Sequence, residues 1–101
     1  MNSNKIKKII YSILKEIIEG ENIPEAKDYD IDKNHFFEIV SLMKNEEYLN
    51  PKLVSLFLDG SVGISKQLNT VTMKGIEFLE ENSKWNKLYK GIKEFRNFLP
   101  L

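Results

Sequence analysis

The sequence predicts an α+β domain of winged-helix type: a helix-turn-helix core, a two-stranded β wing and two C-terminal helices. Three observations carry this. Apolar residues recur at helical spacing in separated segments near 6–18, 36–43 and 85–99. A short run suited to a pleated surface, Leu53–Leu58, ends in the turn pair Asp59-Gly60. Asp32, Thr72 and Ser83 stand where helix caps belong. With 101 residues, one domain over 1–101 is the simplest organisation.

The elements follow in order. Ile6, Ile9, Ile10, Ile13, Leu14, Ile17 and Ile18 form one face of a first helix, with Gly20 placed to end it in a left-handed cap. Isoleucine is a mediocre helix former, so packing rather than propensity should hold this helix. Residues 21–31 are acidic and turn-rich, and Pro24 begins a short second helix through Ala26 and Lys27. The next helix runs from Lys33 to Asn45, capped by Asp32, with Phe36, Ile39, Val40 and Met43 inward. Strands are expected at Leu53–Leu58 and between Ile64 and Val71, with the hairpin tip at Asp59–Gly63.

Thr72 caps a short helix in which Ile76 and Leu79 face inward, and Val71 and Ile76 form a hydrophobic staple across the cap. Asn82 ends that helix. Ser83 caps the last one, whose stripe is Trp85, Leu88, Tyr89, Ile92, Phe95 and Leu99, stopped by Pro100. The predicted core is Ile9, Ile13, Ile17, Phe36, Ile39, Val40, Met43, Leu79, Leu88 and Ile92.

Three blocks carry a family resemblance. They are Val71-Thr72-Met73-Lys74-Gly75-Ile76-Glu77-Phe78-Leu79, Ile13-Leu14-Lys15-Glu16-Ile17 followed by Glu19-Gly20, and Trp85-x-Lys87-x-Tyr89-Lys90-x-Ile92-Lys93-Glu94. In this order and spacing the chain resembles the YjcQ-like family, small winged-helix proteins of Firmicutes chromosomes and their prophages. Residues 45–68 match least specifically. The resemblance implies a fold; it carries no catalytic or ligand residues. Winged-helix kinship implies DNA binding only by analogy of fold.

Composition narrows the chemistry. Cysteine is absent, which excludes disulfides, thiolate metal sites and cysteine nucleophiles. A zinc site would need carboxylates, because His35 is the only histidine; a lone histidine near a helix start more often serves local hydrogen bonding. The pairs Glu46-Glu47 and Glu80-Glu81 are neighbours in sequence, so on helices they point apart and read as solvated charge. Gly60 and Gly63 belong to a hairpin, and no Gly-Lys-Ser/Thr follows them, so there is no phosphate loop. No cofactor, catalytic residue, metal ligand or small-molecule substrate is expected. The lysine-interrupted N-terminal segment is not a signal peptide, and nowhere do about 18 apolar residues run together. A cytoplasmic protein without membrane contact is the expectation.

The formal net charge is +0, but unevenly placed. Residues 1–20 carry four lysines against two glutamates, +2; residues 21–50 carry three lysines against eight acids, −5; residues 83–101 carry five basic residues against one acid, +4. Standard docking on DNA would put the 33–45 helix in the major groove and the wing on the backbone. Lys33, Asn34, Lys44 and Asn45 on the helix and Lys66 and Gln67 on the wing would then make the contacts. Glu38 would sit in the middle of that face, and the single arginine, Arg96, lies far along the chain.

Two functional expectations result. The first is a non-enzymatic regulatory module of prophage type, binding DNA weakly or with a partner's help. The second is a protein–protein interaction module on the same scaffold, without DNA binding. In the last helix, Trp85, Tyr89, Phe95 and Arg96 either close the domain's own core or meet a protein partner or second copy, and closing the core is the simpler reading.

Overall fold

The computed structural model describes residues 2–86. It is an α+β arrangement of three helices and a two-stranded antiparallel sheet, compatible in its order with a winged helix. Helix α1 spans Ser3–Glu19, α2 Lys33–Asn45 and α3 Met73–Glu81; strands β1, Val54–Leu56, and β2, Val62–Ile64, lie between α2 and α3.

Helix α1 starts at Asn2, whose side chain accepts from the Lys5 N–H at 2.8 Å. Its apolar face packs against α2 and α3 and buries Ile9, Ile10, Ile13, Leu14 and Ile17, as the periodicity predicts. Burial extends further round the helix than the isoleucine stripe, to Tyr11 and Ser12. The left-handed cap expected at Gly20 is not formed: Gly20 is extended, φ −81° and ψ 171°. A glycine fits there for another reason. Its N–H donates to the Glu16 carbonyl at 2.8 Å, and a Cβ would stand 2.8 Å from that same backbone oxygen, which cannot swing away as the nearby Glu16 carboxylate can.

The short second helix is a 3-10 turn, Ala26–Tyr29, beginning two residues after Pro24. Glu25 and Asp28 cap one another reciprocally. Asp30, in the left-handed region at φ 57°, reverses the chain toward α2. The turn earns its place through Tyr29, which is buried, stacks on Phe36 at 6.4 Å and donates its hydroxyl proton to Ser12 Oγ at 3.0 Å. That bond satisfies two polar groups that burial would otherwise penalise.

Helix α2 has the predicted bounds, and Phe36, Ile39, Val40 and Met43 are buried as expected. Asp32 caps it, accepting from the His35 N–H at 2.7 Å, while His35 Nδ1 lies 3.0 Å from the other carboxylate oxygen. The amide bond from His35 is the largest of the influences holding the Asp32 carboxyl below its ordinary value. Such a group stabilises the fold above the unfolded carboxylate value, ~3.9, and stops doing so as pH falls through its lower folded value. Amide exchange should therefore show the His35 N–H losing protection as pH drops below about 4. An Asp32→Asn chain should keep the cap and lose this pH dependence.

The end of α2 is closed by Glu47 in the left-handed region, φ 64°, with the Tyr48 N–H reaching back to the Met43 carbonyl at 2.9 Å. From there the chain is stitched to the start of α3. Leu49 bridges Val71, Asn50 N–H donates to the Thr70 carbonyl, and Thr72 N–H donates to the Tyr48 carbonyl. The Thr72 hydroxyl donates to the Glu47 carbonyl and accepts from the Gly75 N–H.

The hairpin differs from expectation in two ways. Strand β1 is shorter than Leu53–Leu58, because Pro51–Leu53 is a 3-10 turn and the chain turns after Leu56. Strand β2 lies at Val62–Ile64, ahead of the predicted Ile64–Val71 stretch, with Val54 opposite Ile64 and Leu56 opposite Val62. Residues 65–70 instead form a turn folded round Thr70, whose buried hydroxyl donates to the Ser65 carbonyl at 2.6 Å and accepts from the Gln67 N–H at 2.8 Å.

Helix α3 begins at Thr72 and ends at Asn82, as predicted, with Asn82 Nδ2 donating to the Phe78 carbonyl at 2.8 Å. Its inward face is rotated from the expected one. Gly75 and Phe78 are buried, Leu79 is half-buried against the core, and Ile76 is exposed. The rotation follows from Gly75, which lies so close to the Tyr48 carbonyl that a Cβ would stand 2.6 Å from it. Phe78 then meets Tyr48, ring centroids 5.0 Å apart. Ser83 opens a 3-10 turn, Ser83–Trp85, that carries Trp85 onto Tyr11. Leu88 and Ile92 of the expected core, and the body of the last helix, lie outside the described residues.

Candidate interaction surface of helix 2 and the hairpin

The outward face of α2 presents Lys33, Asn34, Glu38 and Asn45 to solvent, so three of the expected contact residues are exposed on the helix that also carries Lys44. They are not equivalent. Lys44 is half-buried and leans on the hairpin, its ammonium 3.5 Å from the Val54 carbonyl. Lys33 lies near Asp59, whose carboxyl is held below its ordinary value, first by the bonds from Ser61 and in smaller part by the Lys33 charge. Asn34 and Asn45 are unencumbered in exposure, and Glu38 sits between them on the same helix, as the sequence indicated.

The hairpin turn is tightly built. The Phe57 N–H donates to the Ser61 carbonyl at 3.0 Å and the Gly60 N–H to the Phe57 carbonyl at 2.9 Å. The Ser61 N–H donates to Asp59 Oδ1 at 2.9 Å. Gly60 takes φ 85°, which its lack of a side chain permits, in the position that closes a three-residue hairpin loop. The result holds Phe57 (51% exposed) and the fully exposed Leu58 at the tip.

Between this tip and α2 runs a groove of about 510 Å³. Phe37, Leu56, Phe57 and Leu58 supply its apolar wall, and among the described residues its ionisable groups are Glu38 and Asp59. The apolar tip is the feature the sequence reading missed: Phe57 and Leu58 were counted as strand residues, although the adjoining Asp59-Gly60 signal already placed them beside a turn.

Lys66 and Gln67 are not on this surface. They follow the base of the hairpin, at the end opposite Asp59 and Gly60, and line a separate depression with Ile17 and Ile18 of α1. The displaced strand explains the correction: with β2 ending at Ile64, residues 66 and 67 have already left the hairpin.

Trp85 is buried against Tyr11, as core closure requires. Tyr89, Phe95 and Arg96 lie outside the described residues. Lys84 is exposed, with its ammonium 5.1 Å from the centre of the Trp85 ring. Burial pushes the Lys8 ammonium below its ordinary value, and the Lys84 charge adds to that. Lys8 of α1 thus lies near Lys84 in the segment that follows α3.

Among the described residues, no group of three or more His, Asp or Glu is placed to hold a metal ion. No helix of the described residues is long and apolar enough to cross a membrane.

Comparison with known proteins gives a family. The model of the YjcQ protein family matches residues 11–98. The chain is similar to the "Uncharacterized protein YjcQ" of Bacillus subtilis (strain 168), with 32% identity over 99 residues, covering 98% of this chain and 99% of that protein. No solved structure matches.

Proposed function

The chain belongs to the YjcQ family, and from that premise we propose that it is a non-catalytic winged-helix module whose α2–hairpin surface docks a protein rather than DNA. The hairpin is the wing, α2 occupies the position of a recognition helix, and the 3-10 turn with Asp30 stands in for the first helix of a helix-turn-helix pair.

The observation that carries the reading is the wing tip. Phosphate contacts from lysine and arginine supply nearly all non-specific affinity for DNA. Here the tip offers Phe57 and Leu58, and the groove behind it offers Glu38 and Asp59. Two carboxylates facing a phosphate backbone repel it, whereas exposed aromatic and aliphatic side chains on a rigid turn suit the desolvated centre of a protein interface. Of the lysines expected to touch DNA, Lys44 is drawn onto the hairpin and Lys66 lies at its other end.

Fluorescence anisotropy of a random DNA duplex, titrated with the protein at about 50 mM and about 200 mM salt, tests this directly. No binding at either salt is the expected result. Binding at low salt that collapses at the higher salt would establish a phosphate-contacting surface and overturn the reading in favour of a DNA-binding regulator.

A further inference from the structure

A second apolar cluster is exposed at the far end of the hairpin. Leu68 is fully exposed in the turn that follows β2, and Ile18 is 49% exposed at the end of α1. With Ile17, Val71 and Gln67 they line a depression of about 390 Å³, in which Lys66 is the one ionisable lining residue among the described residues. Scattered single leucines on a surface need no explanation; two apolar clusters on a domain this small do.

The two clusters fit one another in character. The tip is a knob, Phe57 and Leu58 projecting from a hydrogen-bonded turn, with carboxylates at Glu38 and Asp59 beside it. The other is a depression walled by aliphatic side chains, with an ammonium at its edge. They cannot meet within one chain, because they stand at opposite ends of the same hairpin, whose three-residue strands span roughly 10 Å. We propose that the hairpin tip of one copy of this chain docks into the depression beside Ile18 and Leu68 of a second copy, head to tail. This rests on the protein-docking reading above and names the partner as the chain itself. Because the two contacting faces differ, the contact is heterologous and repeats, giving rings or open chains rather than a single symmetric dimer.

Sedimentation velocity across a range of concentrations tests it, with Leu58→Glu and Leu68→Glu as the variants. Both side chains are exposed, so both variants should keep the far-UV circular dichroism of the natural chain. The natural chain should sediment faster as concentration rises. Each substitution should weaken association at least ~30-fold, as loss of a buried anchor does. An equimolar mixture of the two variants should form one-to-one dimers, because each retains the half that the other has lost.

A natural chain that stays monomeric to about millimolar concentration overturns the proposal, since an association weaker than that leaves less than about 4 kcal/mol of binding. So does a mixture that stays monomeric, because the two retained faces would then not recognise one another, and so does association that neither substitution weakens. The DNA titration is independent of these outcomes. A monomer that ignores DNA defeats only self-docking, while salt-sensitive DNA binding defeats the reading beneath it.

Discussion

Replacing Trp85 by alanine lowers the unfolding free energy by ~3–5 kcal/mol, the range for truncating a buried aromatic residue. Trp85 is 5% exposed and meets Tyr11 edge-on, ring centroids 5.7 Å apart at 82°, a favoured geometry for an aromatic pair. It is therefore the anchor that ties the segment after α3 back to the middle of α1. Urea unfolding followed by far-UV circular dichroism is the measurement, because the substitution removes the chain's only tryptophan. An effect within ~0.5 kcal/mol, the range for an ordinary surface position, would show that Trp85 does not anchor the core. It would return Trp85 to the partner-contact role considered from sequence.

A Gly75→Ala chain melts at a lower temperature than the natural one, against what helix propensity alone forecasts. In the interior of an exposed helix the change would stabilise by ~0.8–1.0 kcal/mol. In α3 the added methyl would stand 2.6 Å from the Tyr48 carbonyl oxygen and 2.7 Å from Val71 Cγ1. Neither neighbour yields readily. The Tyr48 carbonyl already accepts from the Thr72 N–H at 3.1 Å, and Val71 is buried and paired with Leu49. Overpacking of this kind costs ~1–3 kcal/mol, and each kcal/mol shifts the midpoint of a domain this size by ~4–8 °C. A melting temperature equal to or above that of the natural chain would mean that α3 does not sit this close to the end of α2.

These two positions also show where sequence reading succeeds and where it stops. Helices α1 and α2 were legible because each combines a long apolar period with a polar start, and α2 has Asp32 in the capping position. Packing against neighbours only reinforced what local chemistry specified. Helix α3 was legible in extent but not in orientation. Its sequence was read with Ile76 and Leu79 inward, and the choice of Phe78 instead of Ile76 is made by Gly75, whose role appears only when Tyr48 stands against it.

Gly20 failed the other way. A glycine after a helix usually signals a left-handed residue, but here Gly20 is extended and a side chain would press on the Glu16 carbonyl oxygen. The second strand was misplaced because the stretch between Ile64 and Val71 was read as extended, whereas Thr70 folds most of it into a turn and leaves Leu68 exposed. Tyr11, Tyr29 and Leu49 are buried although no periodic stripe included them; each is held by a partner remote in sequence.

On the surface, Lys33, Asn34 and Asn45 of α2 are exposed as the helical period indicates, and Lys44 is half-buried against the hairpin. The apolar tip and the separation of Lys66 and Gln67 from it depend on the register of a three-residue strand, and a short apolar run does not encode register.

The clasp at the base of the hairpin has a consequence of its own. Leu49 with Val71, Asn50 with Thr70 and Tyr48 with Thr72 fix the distance between the end of α2 and the start of α3. Everything from 50 to 70 hangs from that clasp as a closed loop. The entropy lost in closing such a loop rises slowly with its length, about 0.6 kcal/mol for each doubling. Residues can be gained or lost at the turn without moving the helices that display it. The turn that carries Phe57 and Leu58 is thus free to vary in reach and composition, while the scaffold behind it stays constant.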